Sequence, residues 1–179
     1  DDEYQDFKEM EKLENDIYGI NTYEGDILKS YEFKKLGNLG ELFAFEHFKN
    51  FKNVIFTAKE LGNGFGFDIY FQNDIENITY ENLIEVKTTT NLENDDYFSL
   101  SKNEYNVMIN TLKEENVNYY ICRLFFNKEN GKFSSYLLNL DDDNTLRSLN
   151  YENDNLEYEL HKETEQHYTF KRKQKTLKY

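Results

Sequence analysis

Proline is absent from this chain of 179 residues, cysteine occurs once, and bases are outnumbered by acids: 21 Lys and Arg stand against 35 Asp and Glu, a formal net charge of -14. Without proline, and with abundant Asn, Lys, Ile and Tyr, the composition matches the coding bias of an A/T-rich genome. The Asn content is therefore not read as disorder. The lone Cys122 excludes an intrachain disulfide, and its strand-like setting, Tyr-Ile-Cys-Arg-Leu, makes it a small core residue rather than a nucleophile, suited to a reducing cytosol. The acidic balance disfavours nonspecific adhesion to polyanions and so argues against a simple DNA-coating protein. It leaves room for an enzyme with a local basic groove, or one that borrows affinity from a partner. No signal peptide and no apolar run near bilayer length is found, so the expectation is a cytoplasmic protein without membrane contact. The first residue is Asp rather than Met, which fits either a piece of a longer protein or a chain whose leader has been removed.

What the chain does have is aromatic bulk. The hydrophobic share is only 38%, but 15 Tyr and 15 Phe supply large contact areas, enough for one domain with a real core. Three regions are expected: an N-terminal helix and connecting segment over 1–30, a core domain over 31–140 and a C-terminal extension packed on it over 141–179. In the first, Tyr4, Phe7, Met10, Leu13 and Ile17 recur at helical spacing, serving to pack on the domain or dock to another. A second helix is predicted over 31–51, with Leu36, Leu39, Leu42, Phe43, Phe45 and Phe48 toward its buried side. Gly37 and Gly40 lie inside it, where each costs about 1 kcal/mol relative to Ala. Two glycines in one turn imply close approach by another backbone or a ligand, and Glu41 follows them directly.

A strand over 53–58 comes next. The Gly62, Gly64, Gly66 series is weak as a phosphate loop, because it neither follows that strand directly nor opens a helix; it is read as relaxing the backbone before Asp68. Further on, the pattern predicts an acidic loop over 93–96, a short strand over 97–100 and a helix to about residue 114. Ser101 and Glu104 open that helix as a capping box, with a phosphate contact at Ser101 as the alternative. Strands over 117–126 and 131–140 pair across a polar turn. A short helix over 141–150, capped by its own aspartates, and one or two edge strands follow. Lys171, Arg172, Lys173, Lys175 and Lys178 form the one basic cluster, either a nucleic-acid contact or a solvated terminus.

The chemistry concentrates in residues 62–90. Alternate side chains of a strand share a face, so Glu85 and Lys87 point the same way while Ile84 and Val86 point into apolar packing. By the same parity Asp68 faces away from Phe67, Ile69 and Phe71. A reversal near Asn77 brings Asp68 beside residues 85–87. Two carboxylates and an ammonium on rigid strands then suit a divalent-metal site for phosphodiester hydrolysis. The plainer reading of the same trio is a cross-strand ion pair on an exposed face.

The order of elements, with Glu41 on a helix, Asp68 on one strand and Glu85-Val-Lys87 on the next, resembles the restriction-endonuclease-like PD-(D/E)XK superfamily. Five blocks are more specific: Gly37-Asn-Leu-Gly-Glu41, Gly66-Phe-Asp-Ile69, Ile84-Glu-Val-Lys-Thr-Thr-Thr90, Phe98-Ser-Leu-Ser-Lys-Asn-Glu104 and Tyr119-Tyr-Ile-Cys-Arg123. In this order they resemble the nuclease-like domain named after the plant protein No Vein, over about residues 36–139. In bacteria such domains often belong to restriction and phage-defence proteins.

The resemblance implies an α/β (α+β) fold whose core is a central mixed sheet flanked by helices, to which the residue pattern adds an N-terminal helix and extra C-terminal strands. It implies a metal-dependent nuclease acting on DNA, with other domains or subunits of a defence complex as partners and a homodimer as a further expectation. Asp68 and Glu85, with the carbonyl of Val86, would hold Mg²⁺, for which Mn²⁺ would substitute. Lys87 would orient the attacking water and offset transition-state charge, and Glu41 would complete the metal shell or bridge to its water. For Glu41 the residues alone also allow a solvated helix glutamate.

His47, nearly two turns from Glu41, is too far to share a metal, and His161 and His167 have no second ligand at zinc spacing. No Walker loop, nucleophile elbow or zinc-protease helix is present. Two rival functions stay open: a nuclease-fold module that binds nucleic acid or protein without cutting, and a purely structural interaction domain.

Overall fold

The computed structural model describes residues 29–62, 64–90, 96–149 and 156–173. The helix expected over 2–18, Lys175 and Lys178 lie outside the described residues. Within them the protein is a mixed α+β structure built on one large sheet.

Helix α1 (Lys29–Phe48) buries Leu39, Leu42, Ala44 and Phe48. Of its two glycines, one has a steric reason. A Cβ at Gly40 would stand 2.9 Å from the Cβ of Thr88 and closer still to its Oγ1, whereas nothing lies within 4 Å of the corresponding point at Gly37. The close approach foreseen for this turn is thus made at Gly40, by the side chain of Thr88.

The chain continues through β1 (Lys52–Phe56), the single turn α2 (Thr57–Glu60) and a glycine-containing loop into β2 (Ile69–Ile75). Glu76 and Asn77 both have positive φ, 52° and 68°, the geometry of a two-residue hairpin turn whose twist matches that of the strands. β3 (Ile78–Thr89) returns antiparallel, with Ile69 opposite Ile84. β4 (Tyr97–Ser101) and α3 (Lys102–Thr111) then carry the chain over to β5 (Val117–Asn127), which pairs parallel with β3 so that Glu85 is level with Ile121 and Lys87 with Arg123. β6 (Lys132–Leu140), β7 (Thr145–Ser148), β8 (Glu157–Glu163) and β9 (His167–Arg172) extend the sheet in antiparallel fashion, and β4 closes the far edge, giving the order β1-β2-β3-β5-β6-β7-β8-β9-β4.

Strand parity divides the core about β5. Its even residues, Cys122 and Leu124, join Ile69, Phe71, Ile84, Val86 and the buried side of α1. Its odd residues, Tyr119, Ile121 and Phe125, join Leu138, Tyr158, Phe98, Leu100 and Met108 of α3. Phe98 and Leu100 of the last strand in the order therefore meet β5 near its middle, so the sheet curls back on itself. A fully buried polar cluster pins the curl: Arg123 of β5 donates to Asp96 at the entry to β4, Tyr158 of β8 donates to the same carboxylate, and the guanidinium lies 5.2 and 5.5 Å from the rings of Phe98 and Phe125. Cys122 is buried, and that burial pushes its thiol up to about 12, so it stays neutral and inert.

Two expectations need correction. Residues 141–150 do not begin with a helix: 141–144 form a turn, with Asn144 at φ 62°, and β7 follows. The aspartates that suggested a cap hold the turn, Asp143 accepting from Thr145 N at 3.1 Å and, with Asp141, from Arg147. Beyond them the chain does form two strands, but β8 and β9 lie inside the sheet order and β4 takes the edge.

Candidate active site

The β2–β3 hairpin places Asp68, just before β2, against the middle of β3. Its Oδ2 accepts the backbone N–H of Val86 at 2.7 Å, and Glu85 and Lys87, on either side of Val86, face the same way, Lys87 Nζ lying 3.4 Å from Glu85 Oε1. Val86 itself packs under α1. The alternation of β3 thus gathers Asp68, Glu85 and Lys87 on one surface, with apolar residues behind them.

A third carboxylate arrives from α3. Ser101 and Glu104 form the capping box: Ser101 Oγ accepts from Glu104 N at 3.1 Å and Glu104 Oε1 accepts from Ser101 N at 2.8 Å. The same Oε1 accepts from Lys87 Nζ at 3.1 Å. Glu104 was assigned by its sequence to capping alone. The available signal was the direction of the box, which turns an N3 side chain back toward the helix start, here onto the sheet face of Lys87.

Glu41 is not among the residues lining this cleft. Its neighbour Gly40 lies against Thr88, and Leu42 and Ala44 belong to the same core cluster as Ile84 and Val86, on the face of β3 opposite Glu85 and Lys87. His47 is exposed beside Phe48, and His161 stands against Tyr97. Among the basic residues near the C-terminus, Lys171 lies over the Tyr97 ring and Lys173 Nζ donates to Thr145.

Three carboxylates and one ammonium in a buried setting cannot all ionise freely. Burial raises the Asp68 carboxyl to about 6, against the pull of the Val86 N–H and Lys87. Glu85 is raised well above the ordinary glutamate range, first by burial and then by the charge of Asp68. Burial would also raise Glu104, but Lys87 and the Ser101 N–H outweigh it and hold this carboxyl low. Burial pulls Lys87 down, and Glu85 and Glu104 more than restore it, so it stays a cation. Of the two, Glu85 is the carboxyl displaced upward and Glu104 the one displaced downward.

Around this set opens a cleft of about 330 Å³ lined by Gly62, residues 64–67, Asp68, Glu85 and the start of α3. Among the described residues no three His, Cys, Asp or Glu side chains converge closely enough to hold a metal ion by themselves. A hard cation of the Mg²⁺ type asks for less: one or two carboxylates, with waters filling the other positions. The all-oxygen donors Asp68 and Glu85 fit that demand, and the repulsion of Asp68, which adds to burial in raising Glu85, is one that a dication would relieve.

Fold and cleft together define an α+β domain with an acidic, lysine-bearing site at the middle of a mixed sheet. The family described as Protein NO VEIN, C-terminal matches residues 40–136, more than half of the chain, and the protein belongs to this family. The match takes in Glu41, Asp68, Glu85, Lys87 and Glu104 and ends within β6. No curated protein and no solved structure matches the chain significantly. No described helix is long and apolar enough to cross a membrane.

Proposed function

We propose that this domain is a metal-dependent nuclease with a restriction-endonuclease-like core, hydrolysing DNA phosphodiester bonds as the effector module of a bacterial restriction or phage-defence system in the cytoplasm. One observation carries the reading: Asp68 locked to the backbone of Val86, with Glu85 and Lys87 beside it, 3.4 Å apart on one face of β3. Asp68 and Glu85, with the carbonyl of Val86, would hold Mg²⁺ or Mn²⁺. When bound, the cation polarises the scissile phosphate and makes water a competent nucleophile at neutral pH.

The chain's own residues do the rest. Lys87 keeps its charge, orients the water and offsets the negative charge that grows on the phosphate oxygens as the new P–O bond forms and the ester P–O bond breaks. Glu104 holds the Lys87 ammonium in place. The third-carboxylate role passes in this reading from Glu41 to Glu104, because Glu104 contacts Lys87 while α1 packs on the other face of the sheet. Two copies paired so that two sites address two strands belong to the same reading, and a light-scattering mass of a monomer with and without DNA would remove that part.

The test is nicking of supercoiled plasmid with Mg²⁺ or Mn²⁺. Cleavage by the parent protein, reduced about 100-fold or more in Lys87→Ala, is expected. The second reading, a module that binds without cutting, is favoured by the double engagement of Lys87 with Glu85 and Glu104 and by the net charge of -14. It predicts no cleavage at any protein concentration, or cleavage indifferent to Lys87→Ala.

A further inference from the structure

The loop residues 64–67 form one lip of the cleft and carry an exposed aromatic ring, that of Phe65. A single exposed Phe is ordinary. This one is held from both sides. The carbonyl of Gly64 accepts from Asn103 Nδ2 at 2.7 Å, and the carbonyl of Gly66 accepts from the buried Tyr119 hydroxyl at 2.7 Å. Gly66 has φ 79° and is pressed against α3, where a Cβ would stand 2.7 Å from Val107 Cγ2. Phe67 supports the ring in an edge contact, centroids 6.3 Å apart. The loop is therefore a fixed mount that keeps Phe65 44% exposed beside Asp68 and Glu85.

What such a ring would bind follows from what the cleft has little of. Among the described residues no Arg or Lys lines it, and Lys87 beside it is already shared between two carboxylates. A polyanion cannot be held here by a row of phosphate contacts, least of all by a chain of charge -14. Stacking on a nucleobase needs no cation, because every base offers a π-face. A base within a duplex has both faces covered by its neighbours, so the base that meets Phe65 must be unpaired or turned out of the helix.

Resting on the nuclease reading of the same cleft, we propose that Phe65 is a substrate-positioning residue that stacks on an unpaired base next to the scissile phosphate, and that the substrate class is single-stranded or locally unpaired nucleic acid.

The chain contains no tryptophan, so Phe65→Trp introduces a unique fluorophore at this lip. Titration of that variant, without divalent ions, with a single-stranded oligothymidylate, an abasic strand of equal length, a blunt duplex and thymidine monophosphate reads stacking directly. Saturable quenching by the oligothymidylate, with at least tenfold weaker effects of the other three, is expected. Phe65→Ala should weaken binding of the labelled oligothymidylate about tenfold, measured by anisotropy, while Phe65→Tyr keeps it within about twofold. Equal quenching by the abasic strand, the duplex or the mononucleotide, or unchanged binding in Phe65→Ala, overturns the proposal. Because the titration needs no cleavage, the two readings fail separately. Quenching without nicking removes the nuclease and keeps the stack, whereas nicking without quenching does the reverse.

Discussion

Glu104 Oε1 receives the Lys87 ammonium at 3.1 Å while it also accepts the backbone N–H of Ser101 at 2.8 Å. One oxygen thus ties the start of α3 to the lysine of β3, and the two duties can be separated by substitution. Glu104→Gln keeps an acceptor for the cap but removes the charge facing Lys87. Ser101→Ala removes the cap and leaves that charge. Urea melts should show Ser101→Ala less stable by about 1 kcal/mol and Glu104→Gln less affected. Plasmid nicking should show the opposite ranking, with Glu104→Gln reduced about 10- to 100-fold through a misplaced Lys87 and Ser101→Ala within a few fold of the parent.

The two glycines of α1 should respond to alanine with opposite signs. At Gly37 a methyl meets nothing within 4 Å, so Gly37→Ala is expected to stabilise by about 0.5–1 kcal/mol through helix propensity. At Gly40 the methyl collides with the β-branched Thr88, and Gly40→Ala should destabilise by about 1–3 kcal/mol. Denaturant midpoints of the two variants decide this. A stabilising Gly40→Ala would mean that α1 does not sit on Thr88.

In the absence of divalent ions the site should give the protein an unusual pH dependence. Burial raises the carboxyl of Asp68 to about 6, and that of Glu85 is also raised. Folded protein therefore binds protons that the unfolded chain, with Asp near 3.8, releases. By linkage this contribution is fully present below the unfolded value and is lost as pH rises through about 6, on the order of 1.4 kcal/mol per pKa unit. Thermal melts in EDTA should show Tm rising from pH 7.5 to 5.5, and Asp68→Asn should flatten the slope. Asp143, held down to about 2 by Arg147, works in the opposite direction only at much lower pH. A Tm that falls steadily from pH 7.5 to 5.5 in the parent would contradict the assignment.

The buried Arg123–Asp96–Tyr158 cluster should behave as a unit. Arg123→Met or Asp96→Asn leaves its former partner buried without a counter-charge, and each is expected to cost about 3–5 kcal/mol in urea. The double substitution Arg123→Met with Asp96→Asn should cost less than the sum of the single effects. Additive losses would show that the cluster does not close the curl of the sheet.

These sites differ in how far they could be read beforehand, and the difference is physical. The Asp68, Glu85 and Lys87 surface was legible because strand alternation has a fixed period and the polar interval around Asn77 marks a reversal, which the structure makes as a two-residue turn at Glu76 and Asn77. The glycine at 40 was legible as a point of close approach, though not its partner. Glu104 was hidden because the capping box accounts for it locally, and nothing in a linear pattern says that β3 lies beneath the start of α3. The placing of β4 against β9 rather than beside β3 was hidden for a related reason. It depends on pairing between segments about 70 residues apart, such as Ser99 with Thr169, and on a buried arginine at 123 that resembles an ordinary strand residue in sequence. At 141–144 the run of aspartates fits a helix cap and a turn equally well, and Arg147 together with the buried Leu146 decides for the turn and strand.

The cation site is tested most directly by diffraction from crystals soaked in Mn²⁺. An anomalous peak within coordination distance of the carboxylates of Asp68 and Glu85, lost in Asp68→Asn, is the result this account predicts. No peak at the cleft in well-ordered crystals at millimolar Mn²⁺, or a peak that survives Asp68→Asn unchanged, would contradict it.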